Sequence, residues 1–369
     1  MKIGIVTIFD MVNYGNRLQN YAVCEYLKKK GVTAETLVCE PPTNTMDKIK
    51  WCIWKWIYLW RIPIKKTFDP GIERWYRFEK FTSQYIPTRI IYDAKKHMPK
   101  AIDYEYDAFL CGSDQIWNPQ FPGRFGDYSI HYKDYFLTFA SDEKKYSISA
   151  SFGVSSIPKE WESRIQEQLK RFRKISVREE EGAEIIYSLT GRNVEILSDP
   201  VMLLTKEEWM NISRAPKKNF SIDKPYILEY FLSPKTKEQI YEIEEKINTA
   251  GYQIYRLWDI TDQRLFVCDP CEFIYLIQHA ELVCTDSFHA CAFSIMFHRL
   301  FVTFDRGNMN GRIQNLLHKY EISNRNWMSL NNADVFSMDY SNVDLILEQE
   351  RSKLDKYLDS VIQDIAQES

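Results

Sequence analysis

Short apolar runs that stop abruptly at polar residues and pass straight into a helix-forming stretch recur along this chain, and that alternation limits the folds open to it. The sharpest instance is Leu282-Val-Cys-Thr-Asp-Ser-Phe-His289-Ala290. The run Ala280 to Cys284 ends in Thr285, Asp286, Ser287 and His289, and Ala290 to Phe297 then reads as a helix. Open α/β sheets place ligands where strands release polar side chains at their carboxyl ends. A helix start beside such an end also offers unpaired N–H groups to an anion.

The same pattern organises the whole sequence. Strands are expected at Lys2–Phe9, Thr33–Cys39, Tyr106–Cys111, Lys145–Phe152, Lys174–Val177 and Val194–Leu197, with helices at Asn16–Lys30, Trp161–Phe172 and Glu179–Ser188. A polar stretch with Pro216 and Pro225 suggests a linker over 206–224. A second alternation follows: strands Tyr226–Phe231, Tyr252–Leu257, Leu282–Thr285 and Leu300–Phe304, helices Lys237–Ala250 and Glu272–His279, and a terminal helix Val343–Ala366. Strand and helix in alternation imply parallel sheets covered on both faces. The expected architecture is α/β: a Rossmann-like domain over 1–205, interrupted by an aromatic and basic insertion over about 46–100, then a second one over 225–369 that includes the terminal helix. A length of 369 residues suits two cores.

Composition excludes several classes. The net charge is −3, from 48 basic and 51 acidic residues, and no basic arm or zinc-finger spacing appears, so no nucleic-acid partner is expected. The N-terminus reads as a strand rather than a secretory leader, which points to a cytoplasmic protein. The eight cysteines mostly sit in apolar stretches, as buried free thiols do. Cys268-Asp-Pro-Cys271 has no second pair to complete a metal site, so no metal is expected. Phe9 to Asn20 lacks G-x-G-x-x-G, which argues against a nicotinamide cofactor. Four of the ten tryptophans, Trp51, Trp54, Trp56 and Trp60, fall in one basic-flanked run too short to span a bilayer. Such a run suits either a helix lying at a membrane surface or one packed on the protein's own aromatic core or on a dimer partner.

Candidate site residues sit at strand ends. Asn16, Arg17 and Gln19 open the first helix; Asn16 also suits a cap. Ser113, Asp114, Gln115 and Trp117 follow the strand ending at Cys111, with Asp114 as a base for a sugar hydroxyl and Trp117 as a stacking platform. The competing assignment is an Asx-type turn with a packed Trp. Arg178 follows another buried-type strand and suits a carboxylate or phosphate. Its alternative is an ion pair with Glu179 or Glu180. Asp199-Pro200 reads as a cap or a contact closing one domain on the other.

Taken in order, Tyr14-Gly-Asn-Arg-Leu-Gln-Asn-Tyr21, Asp107 to Asn118, Ser149-Ala-Ser-Phe-Gly153, Ser176-Val-Arg-Glu179, Ser198-Asp-Pro200, Thr285-Asp-Ser-Phe-His-Ala290 and Asn310-Gly-Arg-Ile313 resemble the polysaccharide pyruvyl transferase family. The resemblance spans about residues 1 to 320 but not the insertion. It implies the two-domain fold called GT-B, with the domains facing a cleft, and transfer of a pyruvyl group from phosphoenolpyruvate to two sugar hydroxyls as a cyclic ketal. Phosphoenolpyruvate is then the donor substrate and no cofactor is needed. The acceptor is a carbohydrate or lipid-linked oligosaccharide of a surface polysaccharide, handled at the inner face of the plasma membrane. The resemblance matches Arg178 to a donor-binding Arg and His289 to the His of an Arg-x-His element whose Arg is Ser287 here. Arg312 or Arg306 is the expected substitute charge. His289 is the expected general acid, with Asp114 or Asp286 taking the hydroxyl proton. Two other readings remain open: a GT-B glycosyltransferase with a nucleotide-sugar donor, and a non-catalytic scaffold that binds glycans or lipid-linked sugars.

Overall fold

The computed structural model describes residues 1–9, 12–40, 70–93, 97–121, 128–216, 220, 222, 224–233, 235–247, 251–257, 259–305, 311–322, 325–330 and 335–368. The tryptophan-rich run with Trp51, Trp54, Trp56 and Trp60 lies outside them, and so does Arg306.

Two parallel sheets carry the fold. Strands β1 (Lys2–Val6), β2 (Thr33–Glu40), β3 (Thr88–Tyr92), β4 (Ala108–Cys111) and β5 (Lys145–Ser147) lie in the order β3-β2-β1-β4-β5. Beyond β5, single bridges such as Ala150 to Val177 lead to the pair β6 (Ser176–Val177) and β7 (Glu195–Ile196). The second sheet has β8 (Tyr226–Tyr230), β9 (Gln253–Arg256), β10 (Leu282–Thr285) and β11 (Leu300–Thr303) in the order β11-β10-β8-β9. Strand β4 is buried along its length, as a parallel strand covered on both faces must be.

The expected alternation is present, with one addition and several shortened ends. Helix α1 (Tyr14–Lys29) starts where Asn13, not Asn16, caps it: the Asn13 side chain accepts from Asn16 N at 3.1 Å. The insertion contributes helix α2 (Pro70–Tyr85) and the edge strand β3, neither evident in the sequence pattern. In β3 only Ile91 is buried, while Ile90 and Tyr92 face outward, so no long apolar run advertises it. Helices α3 (Tyr128–Tyr135), α4 (Lys159–Leu169) and α5 (Glu180–Thr190) complete the first half. The segment read as a linker begins with helix α6 (Lys206–Ile212), held by a Thr205/Glu208 capping box and anchored by the wholly buried Trp209.

In the second half, α7 (Lys237–Ile247), the single turn α8 (Gln263–Phe266), α9 (Pro270–His279), α10 (Phe288–Met296) and α11 (Gly311–Lys319) surround the sheet. Asp269 caps α9 with Pro270 in its first turn, so the Cys268-Asp-Pro-Cys271 spacing belongs to a helix start; both thiols are free and buried. Burial pushes the Cys271 thiol up to about 12, which makes it unreactive at neutral pH. The terminal helix α12 (Val343–Glu368) returns to the first sheet, where Tyr357 donates to Ser147 O at 2.7 Å and Lys30 pairs with Asp359 at 2.8 Å. Among the described residues, no helix is long and apolar enough to cross a membrane.

Helices α1 and α2 lock the first half to α9 of the second. Tyr14 stacks on Phe273 with ring centres 4.3 Å apart and donates to Cys268 O at 2.8 Å. Arg77 grips Glu272 through two bonds of 2.9 Å and also donates to Val267 O, with the Glu272 carboxylate fully buried. Removing one partner of a buried pair leaves an uncompensated charge, so Arg77→Ala is expected to lower unfolding stability by about 3 to 5 kcal/mol. Urea denaturation measures this, and a loss under about 1 kcal/mol would contradict the lock.

Candidate active site

Three strand ends of the first half build one wall of the site. After β4, Asp114 takes a left-handed backbone conformation (φ 63°), which Asp tolerates better than most residues. Ser113 Oγ donates to Ser149 O at 3.0 Å and lies 3.2 Å from Asp199 Oδ2. After β6, the buried Arg178 donates from Nη1 to Asp199 Oδ2 at 2.7 Å. Its Nη2 is 3.6 Å from Asp114, its Nε is 3.6 Å from Glu179, and the guanidinium lies over the Phe288 ring at 4.6 Å. After β7, Asp199 accepts from Val201 N at 3.1 Å, capping the turn that Pro200 begins.

The second half supplies the opposite wall. Ser287 caps α10, its side chain accepting from Ala290 N at 3.4 Å, and this sets the first turn that carries His289. The His289 Nε2 then lies 3.6 Å from Asp199 Oδ2. Its ring presses on the first turn of α1, and a Cβ at Gly15 would fall 2.0 Å from Nδ1. That contact explains why glycine stands at position 15. Arg312, in the first turn of α11, reaches across to Asp114 Oδ1 at 3.4 Å and meets the Gln115 side-chain amide at 2.8 Å.

Asp199 is therefore the point where both halves meet. Burial raises its carboxyl, but the His289 imidazole, the Arg178 guanidinium and the Val201 N–H outweigh that and hold it well below the usual carboxylate range. Burial disfavours the Arg178 charge, while Asp199, Asp114 and Glu179 together raise its pKa above the ordinary value. Two guanidiniums and an imidazole thus face three carboxylates in a largely water-excluded cluster. An arrangement of this kind can bind an anion through the arginines and move a proton through His289.

Of the residues expected from sequence, Ser113, Asp114, Gln115, Arg178, His289 and Arg312 come together. Others do not. Asp286 is buried, and its two oxygens accept from Leu232 N at 2.6 Å and Ser233 N at 3.0 Å, so it closes the loop after β8 instead of facing Asp114. Trp117 is buried in the first core, stacked on Phe136 with its Nε1 donating to Tyr135 O, and offers no sugar platform. Gln19 bonds Thr7 Oγ1 at 2.7 Å inside the fold. Arg17 lies over Phe9 and pairs with Glu79 on α2. Asn16 is buried in the first turn of α1, and Ser287 acts as a helix cap.

Sequence reading underweighted Asp199, Glu179, Gly15 and Phe288. Glu179 Oε1 accepts from Phe152 N at 2.9 Å and Gly153 N at 3.2 Å, tying the β5 exit to the β6 exit. The Ser198-Asp-Pro200 turn was the available signal for Asp199, and both suggested roles, cap and contact between halves, are realised. Among the described residues, no group of three or more His, Cys, Asp and Glu side chains is placed to hold a metal ion.

The profile of the family described as "Polysaccharide pyruvyl transferase" matches residues 13–308. No curated protein sequence matches the chain. Among solved structures, a protein assigned as UDP-N-acetylglucosamine 2-epimerase from Listeria monocytogenes superposes with a TM-score of 0.52 at 8% identity, over 96% of this chain and 90% of that one. LpCGTa in complex with UDP gives 0.48 at 8% identity over 99% of both chains. MurG from Acinetobacter baumannii gives 0.43 at 9% identity over 98% and 99%. The first likeness and the two parallel sheets make the fold GT-B-like.

A depressed folded-state pKa stabilises above the unfolded carboxylate value near about 3.9 and loses that contribution as pH falls towards the folded value. Asp199 is depressed, so wild-type stability should fall more steeply between about pH 5 and pH 2 than that of Asp199→Asn. Urea midpoints across that range give the two slopes, and equal slopes would remove Asp199 from its place as hub.

Proposed function

The chain belongs to the polysaccharide pyruvyl transferase family and is a transferase, and from that premise we propose that it moves a pyruvyl group from phosphoenolpyruvate to two hydroxyls of one sugar. The observation that carries this reading is the meeting of Arg178 from one half with His289 and Arg312 from the other around Asp114 and Asp199. A donor with a carboxylate and a phosphate needs two cationic grips, and the two guanidiniums supply them. Arg312 takes the charge expected from the family Arg that Ser287 replaces; Ser287 is committed to capping α10.

In this mechanism His289 protonates the methylene carbon of the enol, and Arg178 and Arg312 hold the anionic groups. The first sugar hydroxyl adds at C2, the C2–O bond to phosphate breaks, and the second hydroxyl closes the ketal. Of the two hydroxyl protons, one replaces that given by His289 and the other leaves with hydrogen phosphate, with Asp114 relaying it. Asp199 places a buried carboxylate oxygen 3.6 Å from His289 Nε2, which holds the ring in the cleft. Asp286 has no part in the proton transfers.

The nucleotide-sugar alternative draws on the fold and on Ser287 standing where the resemblance expects an Arg. At the β8 exit the Asp286 carboxylate accepts from the Leu232 and Ser233 amides, beside Lys235 Nζ at 3.6 Å. The acceptor in this reading belongs to a surface polysaccharide, carried on a lipid at the inner membrane face; its support is the Trp51–Trp60 composition. Phosphate release from phosphoenolpyruvate should depend on an added pyranoside from a panel of galactosides, mannosides and N-acetylglucosaminides. His289→Ala should slow it by about 100-fold or more. Release of UDP from a UDP-hexose, with none of phosphate from phosphoenolpyruvate, would assign the site to the alternative donor.

A further inference from the structure

Helix α12 lies outside the 13–308 span matched by the family, yet it reaches the floor of the site. Glu350 on that helix is 3% exposed. Its Oε2 accepts from Ser198 Oγ at 2.7 Å and pairs with Lys319 Nζ at 3.2 Å, and Lys353 holds the other oxygen at 2.5 Å. Burial works against the Glu350 charge, but Lys353, Lys319 and Ser198 hold its carboxyl below the ordinary range.

The two groups that Glu350 joins come from opposite walls. Ser198 immediately precedes Asp199, and its carbonyl accepts from Ser149 Oγ at 2.7 Å. Lys319 is the last residue of α11, the helix whose first turn carries Arg312. Midway along α11, Asn315 donates to Glu181 of the first half at 3.0 Å. Helix α11 thus touches the first half at its start through Asp114 and at its middle through Glu181, and its end reaches Ser198 both directly and by way of Glu350. The last of these ties also grips the Ser198–Asp199 turn, because Glu350 accepts from Ser198 Oγ and Lys319 Nζ reaches the same hydroxyl at 3.4 Å.

We propose that Glu350 is a positioning residue for pyruvyl transfer: by bonding Ser198 and Lys319 together it sets the spacing between the Asp199 turn and Arg312, and so the gap the donor must fill. This rests on the reading of the site as a phosphoenolpyruvate site. A misplacement of a grip by about 1 Å is enough to weaken catalysis strongly without touching substrate. Arg351, the next residue, serves as the comparison: it donates to Met202 O at 3.2 Å and docks the same helix without contacting Ser198 or Lys319.

The test compares Glu350→Ala, Glu350→Gln, Lys319→Met and Arg351→Ala in the full chain. Amide hydrogen exchange of the ligand-free proteins is read at Val201 and along α11, and KM and kcat are read with phosphoenolpyruvate. Glu350→Ala and Lys319→Met should speed exchange at both places and raise the phosphoenolpyruvate KM about tenfold, with kcat within about threefold. Glu350→Gln keeps an acceptor for Ser198 and should recover part of the loss. Arg351→Ala should lower the melting temperature and leave KM and the α11 exchange unchanged. If Glu350→Ala and Lys319→Met behave like Arg351→Ala, the proposal is overturned. Should the wild type neither bind nor turn over phosphoenolpyruvate, the donor reading fails, and the exchange data alone decide whether the brace exists. Lys319→Met decides if Glu350→Ala does not fold.

Discussion

Everything at the cleft depends on one buried carboxylate. Asp199 takes Arg178 and Ser113 from its own half, bonds the Val201 amide beside it, and faces His289 from the other half. Isolated charges this deep would be expelled or neutralised, so each member of the cluster is tolerable only because the others are present. The same carboxylate keeps an arginine and an imidazole from separate sheets at fixed separation. A contact that stabilises the closed arrangement is thereby also the one that sets the spacing of its cations.

The surrounding fold protects that arrangement from three sides. Tyr14, Arg77 and Glu272 lock the α1–α2 face to α9, and Gly15 lets the His289 ring settle on the start of α1. On the far side, α12 crosses back and meets the strand ends at Ser147, Ser198 and Met202. A GT-B-like fold invites the idea of two bodies swinging about a linker. Here the stretch beginning at Lys206 starts as a capped helix anchored by Trp209, and the core runs continuously from Leu18 through Trp209 to Phe293 and Leu358.

What the sequence made legible follows from what leaves a one-dimensional trace. Parallel strands buried on both faces are apolar runs, so Asp114, Arg178 and His289 stand out in sequence as strand-end residues, and the fold brings them together. Strand β3 was missed because an edge strand alternates, and α2 because its aromatic and charged residues follow a segment of similar composition. The surroundings of Trp117 and Asp286 leave no such trace. Both follow buried strands, but their roles are set by partners distant in sequence: Tyr135 and Phe136 for the indole, Leu232 and Ser233 for the carboxylate. Ser287, where the resemblance expects Arg, caps a helix, and the guanidinium near Asp114 comes from Arg312 on another helix.

The central claim is that arginines from both halves form one site for a carboxylate- and phosphate-bearing donor. Calorimetric titration of phosphoenolpyruvate into the wild type, Arg178→Met and Arg312→Met tests it most directly. Saturable binding to the wild type is expected, weakened by at least about tenfold in each variant, a loss of roughly 1.4 kcal/mol or more. Unchanged affinity in either variant, or wild-type binding to a UDP-sugar and not to phosphoenolpyruvate, would contradict it.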